Sequence, residues 1–146
     1  RLPELHAALL DIISVMNQPH RDEVLIKEAG IALDRALFPL LVGIARFGPI
    51  GVVELADRAG RDHTTVSRQL AKLESLGLIS RQADGGDRRV RKATVTPKGK
   101  LMTSMIDSAR ERIAISIFET WDKAEVDTLV DLMAKFADAI KSAKPE

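Results

Sequence analysis

Between residues 61 and 92 the side chains able to do chemistry are hydroxyls, one imidazole and a crowd of cations, with no paired acid and base among them. His63, Thr64, Thr65, Ser67 and Arg68 come first, with Lys72 one turn further on. A second group follows as Asp84-Gly85-Gly86-Asp87-Arg88-Arg89, then Arg91 and Lys92. Hydroxyls, imidazole and guanidinium are the groups that read base edges in a major groove, whereas lysines and backbone amides meet phosphates. Arginines beside two glycines suit the negative potential of a narrow minor groove. Asp87 is placed to orient one of these guanidiniums by a bidentate pair, which lowers the rotamer freedom lost on binding.

Such groups need elements to aim them. Gly51 to Ala59 fits a short helix, Gly60 and Arg61 a tight turn, and Asp62 to Leu76 a second helix closed by Gly77. Asp62 is a suitable N-cap. Val66, Leu70 and Leu73 recur at i, i+4 and i+7 and form one apolar stripe, leaving Thr64, Ser67, Arg68 and Lys72 opposite. Leu78 to Ala83 and Arg88 to Thr96 read as two strands around a hairpin tip, with Ala93 and Val95 facing the core. A helix-turn-helix followed directly by a basic hairpin points to DNA. Taken singly, each segment is also compatible with a solvated charged face.

Charge distribution supports the same face. The 146-residue chain has a formal net charge of only +1. Residues 61–100 nevertheless hold ten basic and four acidic side chains, net +6, and residues 119–146 hold four basic and seven acidic, net −3. A basic middle with an acidic tail argues for one nucleic-acid surface. Cysteine is absent, which removes disulfides and thiolate chemistry. His6, His20 and His63 lie on separate elements without a nucleophile signature, so no catalytic residues and no enzyme are expected. His20, Asp22 and Glu23 are too close in sequence to converge on a metal, and neither metal nor cofactor is expected. No signal peptide and no run of eighteen apolar residues is found; the expected location is the cytoplasm, away from membranes.

The flanks read as helices. Pro3 to Met16 is amphipathic, with Leu5, Leu9 and Ile12 on its apolar face. Arg21 to Glu28 fits a short helix ended by Gly30. Ile31 to Phe47 is almost wholly apolar, with Asp34 as a cap. Pro39 means that this helix either starts near Leu37 or is kinked there, and a bend could line a small-molecule pocket. Thr96 and Pro97 open a long helix to about Thr120, whose more apolar stripe includes Leu101, Met105, Ala109, Ile113 and Ile117. Asp122 and Glu125 form a capping box for a last helix to about Ser142, with Val130, Met133 and Phe136 among its apolar set. Terminal helices with surplus apolar surface imply a homodimer, and a two-fold axis would set two recognition helices about 34 Å apart on a roughly palindromic duplex. The expected domains are 1–32 and 97–146 as dimerisation helices and 33–96 as the DNA-binding unit.

The segment from Phe47 to Gly99 resembles the winged helix-turn-helix core of the MarR family of bacterial transcriptional regulators. The matching pieces are Glu54-Leu55-Ala56, Thr65-Val66-Ser67-Arg68, Leu73-Glu74, Leu76-Gly77-Leu78-Ile79, Asp87-Arg88-Arg89 and Thr94-Val95-Thr96 with Gly99. They follow one another without a gap over about one third of the chain. The resemblance implies a mainly α fold with a small β wing and dimerisation helices at both termini. It also implies a homodimeric repressor of promoters, with a small-molecule effector whose identity the sequence does not reveal. On it, Thr64, Thr65, Ser67 and Arg68 fall at major-groove positions, and Arg88 or Arg89 at the minor-groove arginine of the wing. Gly51 departs from the usual serine or threonine cap, Ala83 stands where a second basic wing residue is common, and Pro39 lies within a helix. The competing reading is a winged-helix adaptor that binds protein and does not recognise DNA sequence.

Overall fold

The computed structural model describes residues 1–84 and 87–143, and the side chains of residues 84–90 lie outside that description. The described elements run α1 (Leu2–Met16), α2 (Pro19–Ala29), α3 (Phe38–Phe47), β1 (Ile50–Gly51), α4 (Val52–Ala59), α5 (His63–Ser75), β2 (Ile79–Asp84), β3 (Asp87–Val95), α6 (Pro97–Ile117) and α7 (Lys123–Ser142). The fold is therefore mainly helical, with a small antiparallel sheet in the order β1-β3-β2 and long helices at both ends. Residues 1–110 form one compact unit and residues 111–146 another.

Local chemistry explains most boundaries. Gly30, Gly60 and Gly77 take left-handed φ values of 69°, 67° and 75°, a conformation open to glycine without a Cβ penalty, and each closes the helix before it. Pro39 does not kink a helix. Residues 31–37 stay outside α3, which begins at Phe38 and carries Pro39 in its first turn, where a missing N–H costs nothing. Asp34 caps only a short turn, accepting from Ala36 N at 2.7 Å. Three other starts follow the sequence signals: Asp62 accepts from Thr65 N at 2.8 Å, Thr96 Oγ1 from Gly99 N at 3.1 Å, and Asp122 and Glu125 complete a capping box; α2 begins ahead of the expected Arg21, with Pro19 in its first turn.

The core gathers one face of each small element. Leu40, Leu41 and Ile44 of α3, Leu55 and Ala56 of α4, and Val66, Leu70 and Leu73 of α5 meet Ile50, Ile79 and Ala93 from the sheet. Ala93 pairs with Ile50 on one side and Arg81 on the other, so the middle strand carries the small residue that lets the helices approach. Each fully buried leucine or isoleucine here contributes about 1.5–3 kcal/mol.

The face that α6 buries shares only Ala109 with the stripe expected of it. Leu101 and Met105 are exposed, whereas Gly99, Ile106 and Ala109 are buried and Met102 packs against the core. Gly99 sets this rotation. A Cβ at that position would run into the Leu78 carbonyl oxygen, and the positions three, seven and ten residues later then follow it inward. Neither α1 nor α7 has a buried residue, and Leu5, Ile12, Val130 and Met133 stand exposed on them. Among the described residues, no helix is long and apolar enough to cross a membrane. Gly99→Ala should cost about 1–3 kcal/mol through this collision, read as a lower urea midpoint with an unchanged m-value; a midpoint equal to that of the wild type would show that the chain yields there freely.

Candidate nucleic-acid interface

Helix α5 carries the candidate reading face. Val66, Leu70 and Leu73 are 0%, 2% and 0% exposed, and burial of that seam fixes which side chains turn outward. His63, Thr64, Ser67, Arg68 and Lys72 are all exposed. Thr65 is half-buried and committed to the cap, since its amide donates to Asp62 Oδ1 at 2.8 Å and its hydroxyl to Asp62 Oδ2 at 2.7 Å. These two bonds, the hydroxyl first, hold the Asp62 carboxyl below its usual range, and the nearby Arg68 guanidinium adds to the effect. His63 Nε2 lies 3.6 Å from Asp57 Oδ1, across the turn from α4. Thr65, Arg68 and Lys72 form one wall of an open cavity of about 370 Å³, with Asp34, Ala36 and Leu37 opposite.

The wing extends this surface. β2 and β3 pair from Ile79↔Val95 to Ala83↔Arg91, with an irregularity at Ala83 and Asp84 and a last pair Asp84↔Asp87. Lys92 is half-buried and Arg91 exposed. Arg91 Nη2 donates to the Arg81 carbonyl at 2.9 Å, which stretches this side chain along the sheet. Arg88 and Arg89, expected at the minor groove, and their proposed orienting partner Asp87 lie at the start of β3, but their side chains, like the hairpin tip at Gly85 and Gly86, lie outside the description.

Several cations of the basic segment serve the fold instead of a bare surface. Arg61 Nη1 donates to Ala36 O at 2.6 Å and to Gln69 Oε1 at 2.9 Å. Arg81 Nη2 meets Glu74 Oε1 at 3.1 Å, and its buried Nε finds no partner among the protein atoms. Lys98 Nζ donates to Leu76 O at 2.8 Å. Composition alone could not separate these from cations available to DNA, because their acceptors lie up to 25 residues away.

A second cavity, of about 450 Å³, opens between the end of α1, the start of α2, α3 and α4. Phe38, Pro39 and Phe47 line it with Arg46, Arg58 and Arg110. Arg58 Cζ lies 3.8 Å and Arg46 Cζ 5.1 Å from the centre of the Phe47 ring, within the range of cation–π attraction. Arg58 also meets Glu54 Oε1 at 3.3 Å. Sequence reading tied a small-molecule pocket to a bend at Pro39; the cavity exists beside Pro39 without the bend.

The Asp62 cap has a signed pH dependence. Because its carboxyl is held below the usual 3.8, the stabilisation is complete above that value and fades as pH falls through the lowered one. Asp62→Ala should therefore lower Tm at neutral pH, and the gap to the wild type should narrow progressively as the pH is taken below the usual carboxylate range. A gap that persists unchanged into acid would mean that the carboxylate is not what caps α5.

Comparison with known proteins agrees with this geometry. Residues 33–91 match the model of the MarR family. The chain is 33% identical over 107 residues to the uncharacterized HTH-type transcriptional regulator YxaD of Bacillus subtilis (strain 168), covering 73% of this chain and 75% of that one. The crystal structure of MarR is 28% identical with a TM-score of 0.70, over 92% of this chain and 98% of that one. A MarR family protein from Bacillus stearothermophilus shares the fold at a TM-score of 0.78 and 18% identity, over 97% of this chain and 96% of the other. A reading helix turned outward by its buried seam, a β wing beside it and these likenesses together assign the chain to the MarR family of winged helix-turn-helix, DNA-binding transcriptional regulators.

Proposed function

We propose that this member is a homodimeric, ligand-responsive repressor that occupies a roughly palindromic duplex operator. The observation that carries the reading is the outward face of α5, where Thr64, Ser67 and Arg68 stand exposed opposite a fully buried seam. In this reading residues 33–96 form the DNA-binding domain. His63, Thr64, Ser67 and Arg68 discriminate bases; Thr65, expected among them, has its hydroxyl donated to Asp62 and holds the turn that presents them, while Lys72, Arg91 and Lys92 contact the backbone. Arg88 or Arg89 enters the minor groove and Asp87 orients it. Phosphate contacts of this kind release counterions and make affinity fall steeply with salt.

The dimer rests on apolar surface that α1 and α7 leave uncovered. Leu5, Ile12, Ile117, Val130 and Met133 are exposed, and Leu9, Ile113 and Phe136 half-covered. Large apolar side chains left exposed on each of these helices favour burial against a partner, and closed two-fold symmetry matches two recognition helices to successive major grooves. Ligand response rests on the 450 Å³ cavity, whose phenyl rings and guanidiniums suit a flat, apolar anion. An occupant there would favour one spacing of the two reading helices and so shift the population that fits the operator.

Two measurements test this reading. Sedimentation at micromolar concentration should give twice the chain mass of 16.0 kDa; a clean monomer would sink the paired-groove mode. On a duplex recovered by binding selection from a random pool, Arg68→Ala should narrow the gap between operator and random DNA by about 1–3 kcal/mol per half-site. Replacing both Arg88 and Arg89 by alanine should weaken operator and random DNA alike and flatten the salt slope by roughly one to two per chain. Proportional losses on both duplexes for Arg68→Ala would move that residue to the phosphates, and an unaltered salt slope for the wing variant would remove the wing from the interface.

A further inference from the structure

Arg61 occupies an unusual junction. Its amide donates to Ala56 O at 3.0 Å, finishing the closure of α4 behind Gly60, and the next residue is the Asp62 cap of α5. Its backbone is thus held from both sides. The position before an N-cap commonly carries an apolar side chain that packs onto the first turn of the helix. Here it carries a guanidinium whose Nη1 spans two elements, reaching Ala36 O at 2.6 Å and Gln69 Oε1 at 2.9 Å.

Those two acceptors define the consequence. Ala36 lies in the turn that leads into α3, and Gln69 is the neighbour of Arg68 in the middle of α5. One planar group with two N–H bonds on a single nitrogen therefore ties the reading helix to the turn facing it across the 370 Å³ cavity. The apolar seam of α5 resists translation away from the core, but it restrains rotation about the helix axis less, because dispersion and burial are not directional. Hydrogen bonds are directional, and these two act on the side of α5 next to Arg68. We infer that Arg61 is a positioning residue: it sets the rotation of α5, and with it the aim of Arg68 and Ser67, without touching DNA itself. Bidentate base contacts tolerate little angular error, whereas phosphate contacts tolerate more, so the loss should fall on discrimination and not on overall affinity.

The inference rests on the reading of α5 as the helix that discriminates bases, and the test separates the two. Arg61→Lys keeps the charge but ends one bond short of Nη1, and Gln69→Leu removes the acceptor without changing the charge. Each should weaken binding to the selected operator about three- to tenfold, the size expected for one or two lost hydrogen bonds. Binding to random duplex and the salt slope should stay unchanged. Because both variants break one tie, the double variant should lose no more than the worse single variant. Parallel losses on operator and random DNA would overturn the inference, since a direct phosphate contact or general loss of folded protein would act on both. Losses that multiply in the double variant, or wild-type binding by both singles, would overturn it as well. Should no duplex be enriched from the random pool, the base-reading role of α5 falls and the inference falls with it.

Discussion

Burial of Val66, Leu70 and Leu73 is the constraint on which the rest of the reading head depends. An α-helix advances 100° per residue, so a seam at i, i+4 and i+7 leaves no freedom over which side faces water. With all three residues at 2% exposure or less, Thr64, Ser67 and Arg68 must point away from the protein. The seam also fixes the neighbouring elements. Leu40, Leu41 and Ile44 of α3, Leu55 of α4 and Ala93 of the sheet share one buried core with it. In the proposed mode, DNA reading and stability thus use opposite faces of one helix, and substitutions on one need not disturb the other.

Directional polar ties refine what apolar burial leaves loose. Asp62 holds the first turn of α5 through Thr65, Arg61 holds its middle through Gln69, and Glu74 near its end meets Arg81 of β2. Arg81 is largely covered, its side chain 20% exposed and that of Glu74 36%, so this pair is better shielded from salt than the surface pairs of α7. The helix is consequently fastened at start, middle and end to the turn, the loop before α3 and the wing. In the proposed mode, that arrangement lets the hairpin and the reading helix approach DNA as one body.

Much of the architecture was legible because its determinants are local. Asp62, Thr96-Pro97 and Asp122-Glu125 are cap signals readable within four residues, and Gly60 and Gly77 close the helices of the reading head for the reason their φ values give. The misread elements were those decided by distant contacts. In residues 31–47 apolar residues occur on every side, so periodicity could not choose between a late start and a kink at Pro39; the short Asp34 turn chose the start. On α6, the apolar stripe read from the period, Leu101 through Ile117, shares only Ala109 with the buried face, because the close approach of Gly99 to Leu78 turns Ile106 inward, a contact invisible in the local sequence. Arg61 and Arg81 looked like part of a basic footprint because nothing near them in sequence shows that Ala36, Gln69 and Glu74 will accept their hydrogen bonds. Of the candidate site, the α5 face was readable from the helix period alone, while the cavity beside Phe47 depends on side chains from five helices meeting in space.

In the proposed mode, paired reading helices engage successive major grooves on one side of a duplex. Hydroxyl-radical footprinting of the selected operator examines it most directly. The expected result is protection on one face of the duplex, with the two half-site centres about 10 base pairs, or a multiple of that, apart. A single protected half-site, or protection spread evenly around the duplex, would contradict it.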